Sequence, residues 1–191
     1  MNEYIYQQKN VLPYDVCDKI IQYYIDSKET YEGVTYGGLN KNIKDTRDLM
    51  IPFTDSYWEN INTSLYESLY ANVLIYLKKI NPDSGSYRIF PTNRLSESLF
   101  MIQKYQKNKG KYVYHNDSQF EPSKYRVITY IWYLNNVDEG GETEFWGEYR
   151  VKPEKGKLVL FPATWTFPHC GKMPISHDKY IVTGWLYISS A

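Results

Sequence analysis

The second half of the chain changes from helical to strand-like periodicity, and this change constrains the fold more than any other feature. After Gly85, short runs rich in Tyr, Ile, Val, Phe and Trp are separated by Gly, Pro, Asn and Asp. Such spacing is typical of a β-sandwich or barrel. The predicted strands are 99–105, 111–114, 126–134, 142–145, 148–151, 157–161, 165–169 and 180–188. Eight short strands indicate a double-stranded β-helix, or jelly roll.

Two amphipathic helices are predicted before this β-rich region. The first covers 14–27, with Pro13 where a first helical turn tolerates proline. The second begins at a Thr54 cap and reaches about Lys79, and Asn81-Pro82-Asp83 ends it. We therefore predict a mainly β fold with flanking helices, in which two N-terminal helices precede the jelly-roll core.

The segments around the helices are harder to assign. Residues 31–42 hold three glycines and suit a loop, which is a candidate lid, and 47–49 suit a short extended piece. No linker or repeat divides the chain, and 191 residues with 42% hydrophobic content can bury one core. We expect a single domain over 1–191, with helical support over about 1–85 and the jelly-roll core over about 86–191.

Charge and apolar patterning limit the partners. Basic and acidic residues both total 22, so the formal net charge is zero and nucleic acid is a disfavoured partner. The first residues lack the pattern of a signal peptide, and no segment has the pattern of a membrane span. We expect a cytoplasmic protein without a membrane partner. The bias toward Tyr, Asn, Lys and Ile also fits AT-rich coding, as in some viral genomes, and raises a viral origin as a hypothesis.

Three side chains form a candidate metal site. His115 and Asp117 end a predicted strand, and residues i and i+2 of a strand project to the same side. His169 ends another predicted strand, and two histidines with one carboxylate make the facial triad of non-haem iron(II) oxygenases. A His-x-Asp motif also occurs by chance, so surface positions are the alternative. Lys179, ten residues after His169, provides an ammonium for a dicarboxylate.

The chain resembles the prolyl 4-hydroxylase-like family of Fe(II)/2-oxoglutarate-dependent oxygenases. The resemblance is carried in order by Val11-Leu12-Pro13-Tyr14-Asp15-Val16-Cys17, Ile102-Gln103-Lys104-Tyr105, Tyr114-His115-Asn116-Asp117, the run from Arg126 to Asn136, Gly140-Gly141-Glu142-Thr143-Glu144-Phe145, Val151-Lys152-Pro153 with Gly156, Phe161-Pro162, His169, Lys179-Tyr180 and Trp185. It covers most of the chain. Its ordered segments are more specific than the triad alone.

The resemblance implies a role for individual residues. His115, Asp117 and His169 would bind Fe(II) and form the catalytic centre. Lys179 would hold the distal carboxylate of 2-oxoglutarate, assisted by Tyr105 and Thr143. Two further residues, Arg126 and Trp185, would contact substrate, although a salt bridge for Arg126 and a core position for Trp185 are equally good alternatives. Oxygen would be the third reactant, and ascorbate an accessory cofactor.

The resemblance further implies hydroxylation of a prolyl residue in a peptide or protein, with release of succinate and CO2. Oxygenases acting on a free amino acid or on nucleic acid are the alternatives, as is a metal-binding jelly roll without turnover. The loop 118–125 is short, although longer versions in the family help to cover the substrate. Cys170 should face away from the metal and be buried and inert, and His177 should lie at the surface.

Overall fold

A computed structural model describes residues 2–53, 56, 58–80, 95–121 and 123–189. The predicted cap at Thr54 and the predicted stop at Asn81-Pro82-Asp83 lie outside these residues. Within the described part, the helices are α1 (Tyr14–Asp26) and α2 (Glu59–Ile80), with a short 3-10 turn at Asn2–Tyr4. Pro13 is the N-cap of α1, and Cys17, Ile20 and Tyr24 form its buried face. Both predicted helices are therefore present.

Fourteen strands are found in the described residues. They are β1 (Tyr6–Gln8), β2 (Tyr31–Glu32), β3 (Lys44–Asp45), β4 (Arg47–Met50), β5 (Leu95–Glu97), β6 (Met101–Tyr105), β7 (Lys111–His115), β8 (Phe120–Glu121), β9 (Lys124–Tyr133), β10 (Thr143–Phe145), β11 (Tyr149–Val151), β12 (Lys157–Pro162), β13 (His169–Gly171) and β14 (Lys179–Ser189). All of their pairings are antiparallel.

The strands form two sheets, as a jelly roll requires. The major sheet has the order β1-β12-β9-β14-β6-β4-β2, with β5 beside β14 and β8 beside β9. The minor sheet has the order β11-β10-β13-β7-β3. Helices α1 and α2 contribute to one apolar cluster with the major sheet, and a second cluster fills the space between the sheets. The prediction of a mainly β jelly roll with two helices is confirmed.

The prediction that the helices simply precede the β core holds only in part. Strands β1 to β4 alternate with the helices, since α1 follows β1 and α2 follows β4. Of these four, only the extended piece at 47–49 was predicted, and it is β4. Strands β1, β2 and β3 span two or three residues, too few for an alternating pattern to be visible, and partners distant in sequence stabilise them.

The predicted strand 165–169 is wrong except for its last residue. The chain turns here, because the amide of Phe167 donates to the carbonyl of Thr164 at 3.0 Å. Trp165 is 75% exposed at this turn, so its apolar character does not mark a strand. Pairing begins only at His169, the first residue of β13. The other predicted strands of the second half match observed strands to within a few residues.

Strand β9 explains how one strand supplies both the core and the site. Its residues from Val127 to Tyr133 are all buried, and from Ile128 onward successive side chains face opposite sides of the sheet. Tyr130 and Trp132 join the cluster shared with the helices. Ile131 and Tyr133 enter the space between the sheets. The major sheet is thus covered on both faces, and its inner face is available for a site.

A buried ion pair joins the two sheets where the chain passes from β3 to β4. Lys44 Nζ lies 2.7 Å from Asp48 Oδ2, and the two side chains are 4% and 1% exposed. Gly33 packs over this corner, where a Cβ atom at Gly33 would lie 2.0 Å from Thr46 Oγ1. Only glycine permits this close approach. The ion pair therefore closes one edge of the inter-sheet space.

Candidate metal and co-substrate site

The three candidate metal ligands all lie on or beside the minor sheet. His115 ends β7, His169 begins β13, and these two residues are paired in register. Asp117 follows two residues after His115. One ligand atom from each residue lies within 4.8 Å of the others. The structure therefore brings together the three residues that the sequence analysis selected.

Each imidazole is oriented by the backbone. His115 Nδ1 is 2.8 Å from the carbonyl oxygen of Val113, and His169 Nδ1 is 3.0 Å from that of Phe167. A carbonyl only accepts, so each Nδ1 carries the proton and donates it. In the neutral imidazole the free lone pair is then on Nε2. His115 Nε2 lies 3.8 Å from one carboxylate oxygen of Asp117, and His169 Nε2 lies 3.5 Å from the other. This is the tautomer that a metal requires.

The ionisation states also suit a metal. Burial lowers the pKa of His115 to about 4, with a further contribution from His169. Burial by itself would raise the pKa of Asp117, but the nearby histidines and a hydrogen bond from Thr129 bring it below its usual value. Neutral imidazoles and an ionised carboxylate are the forms that bind divalent cations.

Aromatic rings hold the two histidines in place. The Tyr112 ring stacks on His115 with 3.5 Å between centroids and 13° between planes. Phe161 and Phe145 pack against His169, with centroid distances of 4.8 Å and 5.5 Å. The ring positions are therefore set by packing as well as by hydrogen bonds.

Lys179 lies across the cavity from this cluster, at the start of β14 in the major sheet. It is only 1% exposed. Its Nζ donates to the carbonyl of Gly141 at 3.0 Å and lies 3.9 Å from the Tyr105 ring centroid. Burial lowers the pKa of Lys179 to about 7, although Glu142 opposes this effect. Among the described residues, no carboxylate oxygen comes within 4 Å of this ammonium.

Thr143 and Tyr105 line the same cavity but in different ways. The Tyr133 hydroxyl donates to Thr143 Oγ1 at 2.7 Å, so the Thr143 hydroxyl keeps its own proton for another acceptor. The Tyr105 hydroxyl donates instead to Gln103 Oε1 at 3.2 Å. Tyr105 therefore presents its ring face, and not its hydroxyl, to Lys179.

Arg126 and Trp185 lie at the mouth of the cavity. The Arg126 guanidinium carbon is 3.5 Å from the Trp185 ring centroid, and Nε donates to the Tyr187 hydroxyl at 3.3 Å. Within the described residues no carboxylate forms a salt bridge with Arg126. Trp185 is only partly buried and lines both the cavity and a larger groove outside it. Arg126 therefore has no salt-bridge partner in the described residues, and Trp185 is not a fully buried core residue.

The groove continues outward from Asp117, and its walls are rich in aromatic and apolar side chains. They include Tyr31, Val34, Tyr36, Phe53, Leu99, Tyr112, Trp185 and Tyr187. Tyr36 is fully exposed, and Val34 and Phe53 are about half exposed. The segment with three glycines thus lies along this groove.

Several residues that line the cavity were not predicted from the sequence, namely Gln103, Tyr112, Thr129, Ile131, Gly171, Ile181 and Thr183. Alternation from Lys179 would have found Ile181 and Thr183, and alternation from Tyr105 would have found Gln103. Alternation from Arg126 would predict the wrong set of inward-facing residues on β9. The pairing of β9 with β14 shifts between Leu186 and Tyr187, and this bulge changes which β9 residues face inward.

Cys170 and His177 are not part of the site. Cys170 is buried, and its Sγ lies 3.9 Å from a carboxylate oxygen of Glu144 on the side of the strand away from the metal cluster. Burial raises the pKa of this thiol. His177 is exposed and lies 3.0 Å from the Ser176 hydroxyl. The predictions of a buried Cys170 and a surface His177 are confirmed.

Comparison with known proteins agrees with this geometry. Residues 100–187, which include the three candidate ligands and Lys179, match the family model of the 2OG-Fe(II) oxygenase superfamily. Somewhat less than half of the chain is therefore similar to this superfamily. The family implies Fe(II), 2-oxoglutarate and O2. A "Probable prolyl 4-hydroxylase 7" from Arabidopsis thaliana is 30% identical, over 40% of this chain and 33% of that protein. The match thus spans about a third of this relative.

Solved structures share the fold over nearly the whole chain. A Trichoplax adhaerens prolyl hydroxylase in complex with a hypoxia inducible factor peptide has a TM-score of 0.71 and 19% identity, covering 97% of this chain and 84% of that one. A Pseudomonas putida prolyl-4-hydroxylase has a TM-score of 0.70 and 18% identity, with 98% and 93% covered. A viral collagen prolyl hydroxylase from Paramecium Bursaria Chlorella virus-1 has a TM-score of 0.66 and 17% identity, with 97% and 96% covered.

The residues present fit the groups that the family uses. Two imidazoles and one carboxylate are a donor set for Fe(II) that leaves positions open. The Lys179 ammonium is buried without a carboxylate partner in the described residues, and such a charge requires an anion to compensate it.

None of the helices described here is long and apolar enough to cross a membrane.

Proposed function

We propose that the chain is a single Fe(II)- and 2-oxoglutarate-dependent oxygenase domain over 1–191 that hydroxylates a prolyl residue in a polypeptide. His115 and His169 bind the iron through their Nε2 atoms, and Asp117 binds it through one or both carboxylate oxygens. When bound, the iron with 2-oxoglutarate and O2 supplies the hydroxylating chemistry and yields succinate and CO2. Ascorbate serves as an accessory reductant.

The proposal is carried chiefly by Lys179. A buried ammonium is costly unless an anion compensates it. Its only neighbours within bonding distance in the described residues are a neutral carbonyl and an aromatic face. The charge is thus prepared for an anion that enters the cavity from outside. A dicarboxylate that reaches both Lys179 and the metal ligands meets this requirement.

Other residues orient the co-substrate and exclude water. The Thr143 hydroxyl, held by Tyr133, donates to the carboxylate that Lys179 binds. The Tyr105 ring supports the ammonium from its other side. Ile131 and Ile181 give the cavity an apolar wall beside its polar residues. A dry cavity strengthens the interaction of the ammonium with its carboxylate partner.

The groove supports a polypeptide as the substrate. Arg126 and Trp185 stack at the cavity mouth, where a side chain entering from the groove would pass. Aromatic walls suit an extended proline-containing segment, since such segments bind to aromatic-lined grooves. The Trichoplax relative binds a peptide on the same fold. The zero net charge does not favour nucleic acid.

The experiment is an assay of succinate release with Fe(II), 2-oxoglutarate and a panel of substrates. Proline-containing peptides should stimulate succinate release and gain one oxygen in mass. His115→Ala should abolish both signals, and Lys179→Ala should strongly reduce them. If only free amino acids or only nucleic acid stimulated succinate release, that class of compound would be the substrate instead of a peptide. Metal binding without succinate from any substrate would make the protein a binding module.

A further inference from the structure

Thr129 contacts one of the candidate metal ligands from the opposite sheet. It lies on β9 of the major sheet, is 2% exposed, and its hydroxyl donates to Asp117 Oδ2 at 2.7 Å. This length is that of a strong hydrogen bond to a carboxylate. The bond crosses the inter-sheet space and links the major sheet to Asp117 by a hydrogen bond.

Thr129 is held more rigidly than Asp117. Strand β9 pairs on both sides, and Thr129 is in register with Phe161 of β12 and with Trp185 of β14. A β-branched side chain has few rotamers on such a strand. Asp117, in contrast, lies in the connection between β7 and β8. The rigid residue therefore orients the less constrained one.

The orientation decides which carboxylate oxygen is free. Asp117 Oδ1 faces His115 Nε2 at 3.8 Å, and Oδ2 faces His169 Nε2 at 3.5 Å. A carboxylate binds a metal through one oxygen or through both. The Thr129 proton competes with a metal for Oδ2 and disfavours the two-oxygen mode. Oδ1 is left as the better ligand atom.

We infer that Thr129 is a positioning residue that keeps Asp117 a one-oxygen ligand. The inference rests on the proposed function. In a facial triad, one oxygen from the carboxylate leaves the opposite face of the metal open. A second oxygen would occupy a position that the keto acid or O2 requires. Thr129 thus preserves the number of open positions through its hydrogen bond to Asp117.

The test compares Thr129→Ser and Thr129→Ala, which differ by one hydroxyl, with the unmodified protein. Each protein is loaded with Co(II), which reports its coordination by visible absorption, and then titrated with 2-oxoglutarate without O2. We expect Thr129→Ala to bind 2-oxoglutarate about tenfold more weakly or worse, and Thr129→Ser to stay within about threefold of the unmodified protein. The Co(II) spectrum should change in Thr129→Ala and return in Thr129→Ser.

Thr183→Val is the matched control. Thr183 is also buried and lines the same cavity, but its hydroxyl donates to the backbone carbonyl of Tyr130 at 2.9 Å. It should keep the Co(II) spectrum. An unchanged spectrum and affinity in Thr129→Ala would overturn the inference, as would an equal change in Thr183→Val. Failure of the unmodified protein to bind Co(II) would instead contradict the proposed function.

Discussion

The ammonium of Lys179 lies 3.9 Å from the centre of the Tyr105 ring, and the two residues are paired across β14 and β6 of the major sheet. The aromatic face partly compensates a charge that burial has separated from water. The tyrosine hydroxyl is engaged with Gln103, so the ring is held in this orientation. The ligand-free protein therefore already holds Lys179 in a position to bind an anion.

Replacing Lys179 by methionine should separate co-substrate binding from metal binding. The affinity for 2-oxoglutarate should fall about 10- to 100-fold, since a hydrogen bond to a charged group contributes about 1.5–3 kcal/mol. The ligand-free protein should unfold at the same temperature or higher, because a buried charge is lost. Calorimetry and thermal unfolding measure the two effects. Lys172→Met, near Glu144 outside the cavity, is the control, and unchanged affinity in Lys179→Met would refute the role.

The affinity for 2-oxoglutarate should depend on pH through Lys179. Burial lowers the pKa of this lysine from 10.5 to about 7 in the ligand-free protein. Only the ammonium binds a carboxylate well, so the affinity should fall roughly tenfold per pH unit above about 7. Titrations between about pH 6.5 and 8.5 measure this. Lys179→Met should have a flat profile, and an equally flat profile in the unmodified protein would contradict the expectation.

The same pKa predicts the pH dependence of stability. The unfolded chain keeps the proton of Lys179 up to about pH 10.5, whereas the folded ligand-free protein loses it near pH 7. Between these values the unfolded state binds more protons, so this lysine makes the folded protein more stable as the pH rises. Urea unfolding of the unmodified protein and of Lys179→Met isolates this contribution. A contribution that falls with rising pH would be the wrong sign.

Arg126 should act on the substrate and not on 2-oxoglutarate. Arg126→Lys removes the planar stack on Trp185 but keeps the charge, and Arg126→Ala removes both. Both should raise the KM for a peptide substrate, by about tenfold in Arg126→Ala. The Kd for 2-oxoglutarate should stay the same. Arg150→Ala, at Glu144 and away from the groove, is the control. Equal losses for peptide and 2-oxoglutarate would assign Arg126 a structural role.

The Lys44–Asp48 ion pair should be costly to break but less costly to replace. Asp48→Asn leaves a buried ammonium without its counter-charge and should lower the free energy of unfolding by about 3–5 kcal/mol. The double variant Lys44→Met with Asp48→Leu should recover most of this loss, because apolar side chains of similar volume replace both charges. Urea unfolding measures both. A double variant as unstable as Asp48→Asn would contradict this account.

The sequence predicts those parts of the fold whose pattern is local and long enough. The helices and strands β9 and β14 fall in this class, because continuous apolar or helical periodicity marks each of them. Strands β1, β2 and β3 do not, since each exists through a distant partner. The predicted strand 165–169 is wrong for another reason. Trp165 is an apolar residue of the kind common in buried strands, but it lies exposed in a turn.

For the site, the sequence locates the charged and metal-binding residues but not their supports. His115 and Asp117 are close in sequence, and His169 and Lys179 are selected by their side-chain chemistry and their ten-residue spacing. Thr129 lies on another strand twelve residues after Asp117, and nothing in its own neighbourhood signals its contact with Asp117. Such a partner becomes visible only when the register between the sheets is known.

Strand β1 is part of the folding unit, although it lies far from the region that matches the family model. Tyr6, Gln7 and Gln8 pair with Leu160, Val159 and Leu158, so the first residues of the chain complete the edge of the major sheet. The region matched by the family model begins only at residue 100. A fragment trimmed to that region would leave the edge of β12 unpaired and the outer face of β9 without its helices, and would tend to aggregate. The boundary of sequence similarity is therefore not a boundary for expression.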